Sequence, residues 1–176
     1  MEVKNLGELY DLPPMDWAAV EARLEQDITM APDSGGPNRH SCWLATINPD
    51  GSPHVNGIGA QWHDGAWWFE TGESSRKGRN LARDPRCTMS IGVREFDLVV
   101  EGTAAKITDP ATVAEMAQVW ADGGWPCRVD DSGIALTADF SAPSAGPPPW
   151  HVYRITTRRA TALGTVMPGG ATQWTF

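Results

Sequence analysis

The chain has 176 residues and a net charge of −8, a length that buries one real core and leaves little room for a second independent domain. The acidic balance excludes the broad basic face that a nucleic-acid polymer demands. No apolar run reaches the length that spans a bilayer, and Met1–Tyr10 lacks a basic region followed by an apolar one, so a cytoplasmic location is expected. Three cysteines, Cys42, Cys87 and Cys127, form no C-x-x-C pair and read as small buried hydrophobes. Nine tryptophans in so small a chain suit either the core or the wall of a flat aromatic ligand.

In chain order, residues 1–15 are mixed, and a helix is expected from Asp16, with Trp17, Val20 and Leu24 at helical spacing. Ala31–Asn38 is a loop by composition. From Arg39 the pattern turns to β. Cys42–Ile47 is an apolar strand, Asn48-Pro49-Asp50-Gly51 a turn, Pro53–Trp62 a second strand, His63-Asp64-Gly65 a second turn, and Trp67–Thr71 a third strand. Gly57 and Gly59 interrupt the middle strand, through either close approach of a ligand or backbone, or a bulge or barrel bend. A helix over Ser75–Arg83 stops at Asp84-Pro85, two strands follow at Cys87–Val93 and Leu98–Ile107, and Asp109-Pro110 opens a helix to about Trp120. Asp122–Pro149 is a long loop rich in Gly, Pro, Asp and Ser, read as a lid or a subunit-crossing arm. His151–Thr156 and Ala160–Thr165 form the last strand or strand pair, and the aromatic C-terminus is expected to dock. The expected fold is mainly β: a small antiparallel barrel of about six strands with peripheral helices, a sandwich being second. It is one domain, divided into a helix and loop (1–38), barrel core (39–107), helix and long loop (108–150) and C-terminal strands (151–176).

The stretch Thr71–Pro85, T-G-E-S-S-R-K-G-R-N-L-A-R-D-P, concentrates the chemistry. A strand ends, a Gly-Glu-Ser-Ser turn follows, and a helix opens with Arg76, Lys77 and Arg79. Free N–H groups at a helix start, a serine hydroxyl and several cations favour a phosphate, although the same residues also suit a solvated helix start. P-loop spacing is absent, as is a G-x-G-x-x-G fingerprint. The four histidines show no metal-ligand spacing, and no metal is expected. His54 and His151 are the candidate proton donors; no other catalytic group stands out.

Phe69–Leu81 (F-E-T-G-E-S-S-R-K-G-R-N-L), with the upstream Asp50-Gly51-Ser52-Pro53 turn, resembles the flavin-phosphate motif of the pyridoxamine 5′-phosphate oxidase family. The resemblance is good over Cys42–Ile107 and loose over the C-terminal third. It implies an FMN-binding split β-barrel, a homodimer with cofactor clefts between subunits, and a small-molecule substrate. Ser75, Arg76 and Lys77 would hold the cofactor phosphate, joined by Thr71 and Asn80, while Val55, Asn56, Gly57, Ile58, Gly59, Ala60 and Gln61 would lie along the ring, and Trp150 and Arg154 would reach it. Where true pyridoxamine-phosphate oxidases carry arginine and lysine, this chain has Asn56 and Gln61. That argues against vitamin conversion, and the Ser141–Trp150 stretch with the aromatic C-terminus is more similar to the branch using reduced deazaflavin, coenzyme F-420, to transfer hydride to an organic acceptor. An FMN-dependent enzyme of the same fold is the alternative, and a non-catalytic flavin, haem or tetrapyrrole binder is an alternative of another class. In the two enzyme readings the cofactor supplies the reactivity while the protein positions the rings and excludes water. Arg154, Arg158 and Arg159 form a second basic cluster suited to an acidic cofactor tail, a substrate carboxylate or plain solvation.

Overall fold

The structure, a computed structural model, describes residues 1–26, 28, 40–142 and 145–176; the expected loop Ala31–Asn38 lies outside them. Local turn chemistry starts the barrel. Strand β2 (Cys42–Ile47) turns into β3 (Pro53–Ile58) through Asn48–Ser52, where the Gly51 N–H donates to the Asn48 carbonyl and Gly51 sits at φ 83°. Strand β4 (Ala60–His63) turns into β5 (Ala66–Thr71) through Asp64 and Gly65, both at positive φ, the tight hairpin geometry whose twist matches that of the strands.

The expected strand Pro53–Trp62 is therefore two, with β3 pairing β2 and β4 pairing β5. The bend falls at Gly59, so the barrel-bend reading holds there. The remaining strands are β6 (Arg86–Gly92), β7 (Phe96–Lys106), a short β8 (Arg128–Val129) and β9 (Leu136–Thr137), then β10 (His151–Gly164) and β11 (Ala171–Thr175). β10 is one strand of 14 residues, where a strand pair was an option, with a bulge between Thr157 and Arg159. One edge of β10 follows β7 throughout, and the other pairs first with β5 and then with β11. Antiparallel pairing thus closes a ring of β2, β6, β7, β10, β5 and the bent β4–β3 ribbon, six staves as expected. β1 (Glu2–Asn5), which the mixed N-terminal sequence did not announce, extends the sheet beyond β11, bringing it to nine strands among the described residues.

Alternation along the staves sends Leu44, Met89, Leu98, Val100, Trp67, Phe69 and Ile155 into the barrel, where all are buried. Helix α1 (Trp17–Leu24), capped by the Asp16 side chain, packs Trp17, Val20 and Leu24 against this core, and Trp174 of β11 docks on Trp17. Staves β7 and β10 approach so closely at Gly102 that a Cβ there would lie 2.2 Å from the Thr156 carbonyl oxygen. On the opposite face of β5 and β10 a second cluster forms under α3 (Pro110–Asp122), comprising Trp68, Val113, Met116, Trp120, Cys127, Leu136 and Val152. Asp109 caps α3 and Pro110 occupies its first turn. The described part of 122–149 carries the β8–β9 hairpin and packs Cys127 and Leu136 into that cluster, with Trp125 against it. No helix among the described residues is long and apolar enough to cross a membrane.

Candidate functional site at the split of the barrel

The β4–β5 ladder ends at Ala60 opposite Phe69. Beyond it β3 leaves to pair with β2, while Glu70 and Thr71 continue on the far side against Val152 and His151 of β10. The barrel is split here, and helix α2 (Arg76–Arg83) starts at this opening.

Ser75 is extended at φ −67°, ψ 159°, and its Oγ accepts the Gly78 N–H at 3.0 Å. The Thr71 and Ser75 hydroxyls lie 2.9 Å apart. Gly78 presses on the preceding turn, so that a Cβ there would be 2.4 Å from the Gly72 carbonyl oxygen; only glycine lets the helix seat this closely. The cap uses the Gly78 N–H, and the Arg79 N–H is bonded to the Ser75 carbonyl. The amides of Arg76 and Lys77, with no acceptor inside a helix, remain available to an anion.

Charge converges on the same point. Arg76 is exposed and Lys77 half-buried, while the Arg79 guanidinium donates to the Ser74 carbonyl. Burial, then the charges of Arg76 and Lys77, hold the His54 imidazole below its ordinary pKa. At neutral pH it is an uncharged ring beside the cations, so it is a poor acid there. Hydrogen bonds from Ser52, with a smaller contribution from Arg76, keep Asp50 ionised. Burial lowers the Lys77 ammonium against the raising effect of Glu70, and burial pushes the Glu70 carboxyl up to about 8 against the lowering effect of Lys77. On the turn, Glu73 accepts from Lys106 at 2.6 Å and lies 3.7 Å from His151 Nε2; the Lys106 bond first, then His151, holds its carboxyl low.

Of the residues singled out in the sequence, Thr71, Ser75, Arg76, Lys77 and His54 come together at this end of the barrel. Asn80 is buried, and its Nδ2 donates to Thr46 Oγ1 at 3.1 Å and Asn48 Oδ1 at 3.2 Å, so its amide is committed to tying the helix to β2. The β3–β4 residues divide by face. Asn56 and Ile58 stand opposite Leu44 and Cys42 on the interior side, whereas Val55 and Gly57 face outward with Ala45 and Trp43. Ala60 is buried and Gly59 is the bend. Gln61 lies opposite Trp68 on the face covered by α3, where Arg154 stacks 5.6 Å from the Trp68 ring centre. Trp150 is buried 5.6 Å from Trp125 in the same layer, close to Gly72. His151, opposite Thr71, is buried on the other side. Sequence reasoning missed Glu70, Glu73 and Lys106; the signal for Glu70 was a lone acid in a strand otherwise apolar until its last residue.

The residues present fit a phosphate-bearing ring cofactor. Two free helix amides, two hydroxyls and the Arg76–Lys77 cations form an anion cradle. Nearby, Asn56 Oδ1, Trp150 Nε1 and His151 Nδ1 are buried without a hydrogen-bond partner among the described residues, which is unusual unless a ligand or water satisfies them.

Comparisons with known proteins agree with this geometry. The chain is similar over 68 residues, at 37% identity, to a pyridoxine/pyridoxamine 5′-phosphate oxidase of Bacteroides thetaiotaomicron, covering 37% of this chain but only 32% of that protein. It is 26% identical to the enzyme of the same name from Rhodopseudomonas palustris over 172 residues, 85% of this chain and 80% of that one. Among solved structures, a pyridoxamine 5′-phosphate oxidase-related, FMN-binding protein from Nostoc punctiforme shares the fold, with a TM-score of 0.59, 16% identity and 91% of each chain covered. A family model described as pyridoxamine 5′-phosphate oxidase matches residues 36–164. With the split barrel and the S-R-K helix start on its β5 end, the chain belongs to the pyridoxamine 5′-phosphate oxidase family.

Proposed function

We propose that the protein is a homodimeric oxidoreductase that binds reduced coenzyme F-420 by its phosphate at Ser75-Arg76-Lys77 and delivers hydride to a small organic acceptor. The observation that carries the reading is the cradle at the split: the Thr71–Ser75 hydroxyl pair, the free amides of the first turn and the Arg76–Lys77 cations. Bound there, the cofactor would supply the hydride chemistry. The chain's own residues bind, orient and exclude water: Thr71, Ser75 and Lys77 hold the phosphate, and the β3–β4 ribbon from Val55 to Gln61 flanks the ring. The Ser141–Trp150 stretch and the aromatic C-terminus favour deazaflavin over FMN by their likeness to the branch that uses it, while uncharged Asn56 and Gln61 on this ribbon argue against vitamin conversion. Arg86, Arg158 and Arg159 also line a groove of 540 Å³, where Arg86 pairs with Asp84 and Arg159 with Glu101, which leaves Arg158 as the cation there best placed for an acidic tail.

The dimer is supported by the outward row Gly57–Trp43–Ser90–Val99, in which Trp43 is 52% and Val99 38% exposed, next to Val55 at 55%. Apolar side chains aligned on an open sheet face suit a second copy of the chain.

Titration of the purified protein with F-420 and with FMN tests the reading. F-420 is expected to bind at least tenfold more tightly, and Lys77→Ala to weaken it by about tenfold or more, the loss of one charge-assisted contact. Unchanged affinity in that variant would remove the site assignment. Tighter FMN binding would favour the FMN enzyme, and tight binding without turnover across enone and quinone acceptors would favour a carrier.

A further inference from the structure

His151 opens β10, where it pairs with Thr71 across the β5–β10 ladder, so the two side chains stand side by side on the interior face of the sheet. Thr71 carries its hydroxyl to 2.9 Å from Ser75 Oγ, the cap of α2. The imidazole therefore sits one side chain away from the helix start that forms the anion cradle. It is only 9% exposed, and its two nitrogens meet different surroundings. Nε2 lies 3.7 Å from Glu73 Oε1, and Glu73 in turn accepts from Lys106 Nζ at 2.6 Å. Nδ1, on the side of the ring nearer the backbone, is buried with no hydrogen-bond partner among the described residues. A buried ring nitrogen left open in this way calls for a partner from outside the chain. The charged and titratable groups of the surrounding elements narrow what that partner is. Among the described residues Glu73 is the only carboxylate within 4 Å of the ring nitrogens. Glu70 alternates to the other face of β5, opposite Val152, and Asp109 is bound to Thr112 at the cap of α3. Arg76 and Lys77 start α2, Lys106 ends β7, and Tyr153 follows on the same face of β10, its phenol pushed up by burial and then by Glu73. Beyond Glu73, the neighbours are thus cations, hydroxyls and helix amides, the company of an anion.

We propose that His151 is a further anion-binding residue of the cradle: with Nε2–H directed at Glu73, its Nδ1–H donates to the cofactor phosphate, and Lys106 positions Glu73 behind it. This role rests on the reading of α2 as the phosphate site. The two neighbours decide the charge of the ring. A carboxylate beside Nε2 calls for a proton there, and a phosphate oxygen at Nδ1 calls for a second, so the ring that serves both is an imidazolium. Imidazole is the side chain that changes charge between about pH 5 and pH 8, so a phosphate bound here brings a proton onto the ring wherever the free ring lacks it. Affinity for a phosphate-bearing ligand therefore falls as pH rises through that range.

The test measures FMN and F-420 dissociation constants at pH 6 and pH 8 by fluorescence quenching, for the parent and for His151→Asn, whose amide nitrogen takes the place of Nδ1 but does not titrate. Because a phosphate monoester itself titrates at about pH 6, the quantity read is the ratio of parent to variant affinity. That ratio should fall about tenfold from pH 6 to pH 8, the weight of one charge-assisted hydrogen bond. In the FMN complex at pH 7, nitrogen NMR of labelled histidine should show both ring nitrogens of His151 protonated. A ratio that stays within twofold, or a neutral ring in the complex, overturns the role of His151, whose Nδ1 is then satisfied by water alone. Where His151→Asn does not fold, Glu73→Gln on the exposed turn carries the test. Without the carboxylate the fall in affinity should begin at lower pH, and a pH curve that matches the parent's overturns the role as well. If Lys77→Ala binds both cofactors as the parent does, the phosphate site itself fails instead.

Discussion

Single residues at the split do two different jobs, and the geometry separates them. Gly78 and Asn80 shape the helix seat, whereas Lys77 and Ser75 are the residues proposed to hold the anion. A methyl group at Gly78 would collide with the Gly72 carbonyl and Glu73 backbone, so Gly78→Ala should cost about 1–3 kcal/mol in denaturant unfolding and weaken cofactor binding with it. Gly59→Ala meets open space and should change stability by less than about 1 kcal/mol. Glu70 also makes stability depend on pH. Its folded-state carboxyl is raised from an ordinary 4.5 to about 8, so the folded chain binds the proton more tightly than the unfolded one. Its contribution is complete below pH 4.5 and is lost as pH rises through 8. Thermal unfolding midpoints should fall across that window, and Glu70→Gln should flatten the slope. Glu70 was missed in the sequence because its surroundings, the layer under α3 that holds Trp68 and Val152, come from elements distant in the chain.

At the scale of elements, α2 does most to organise the site. Its limits were readable from Ser75 and Asp84-Pro85, since a cap and a proline act within a few residues of chain. Its seat was not, because Asn80 reaches Thr46 and Asn48 across more than thirty positions. Ser75→Ala removes the cap to the Gly78 amide and the contact with Thr71. It should cost about 1 kcal/mol in unfolding free energy, and weaken phosphate-bearing ligands in parallel. The β3–β4 ribbon teaches the reverse lesson. Its alternation read as one strand, and the break at Gly59 arises because the two halves serve different partners, β2 and β5.

For the whole molecule, the staves converge on one interior, and large side chains such as Leu44 are fully enclosed; Leu44→Ala should cost about 2–5 kcal/mol by chemical denaturation. The proposed dimer belongs to this scale too. Trp43→Glu places a charge on the exposed row and should shift the sedimentation of the purified protein toward monomer while the circular dichroism spectrum is kept. If the variant sediments as the parent does, another surface joins the subunits.

By itself the sequence determined the local grammar: strands Cys42–Ile47 and Trp67–Thr71, the capped helices at Asp16, Ser75 and Asp109, and the cluster of cations at the Ser75 helix start. These rest on capping, turn and alternation rules that act over a few residues. Tertiary structure alone decided the closure of six staves, the switch of β10 from β5 to β11, the recruitment of Glu2–Asn5 as an edge strand, and the tie of Asn80 to Thr46 and Asn48. All of these are pairings between distant positions, set by which faces can be buried together.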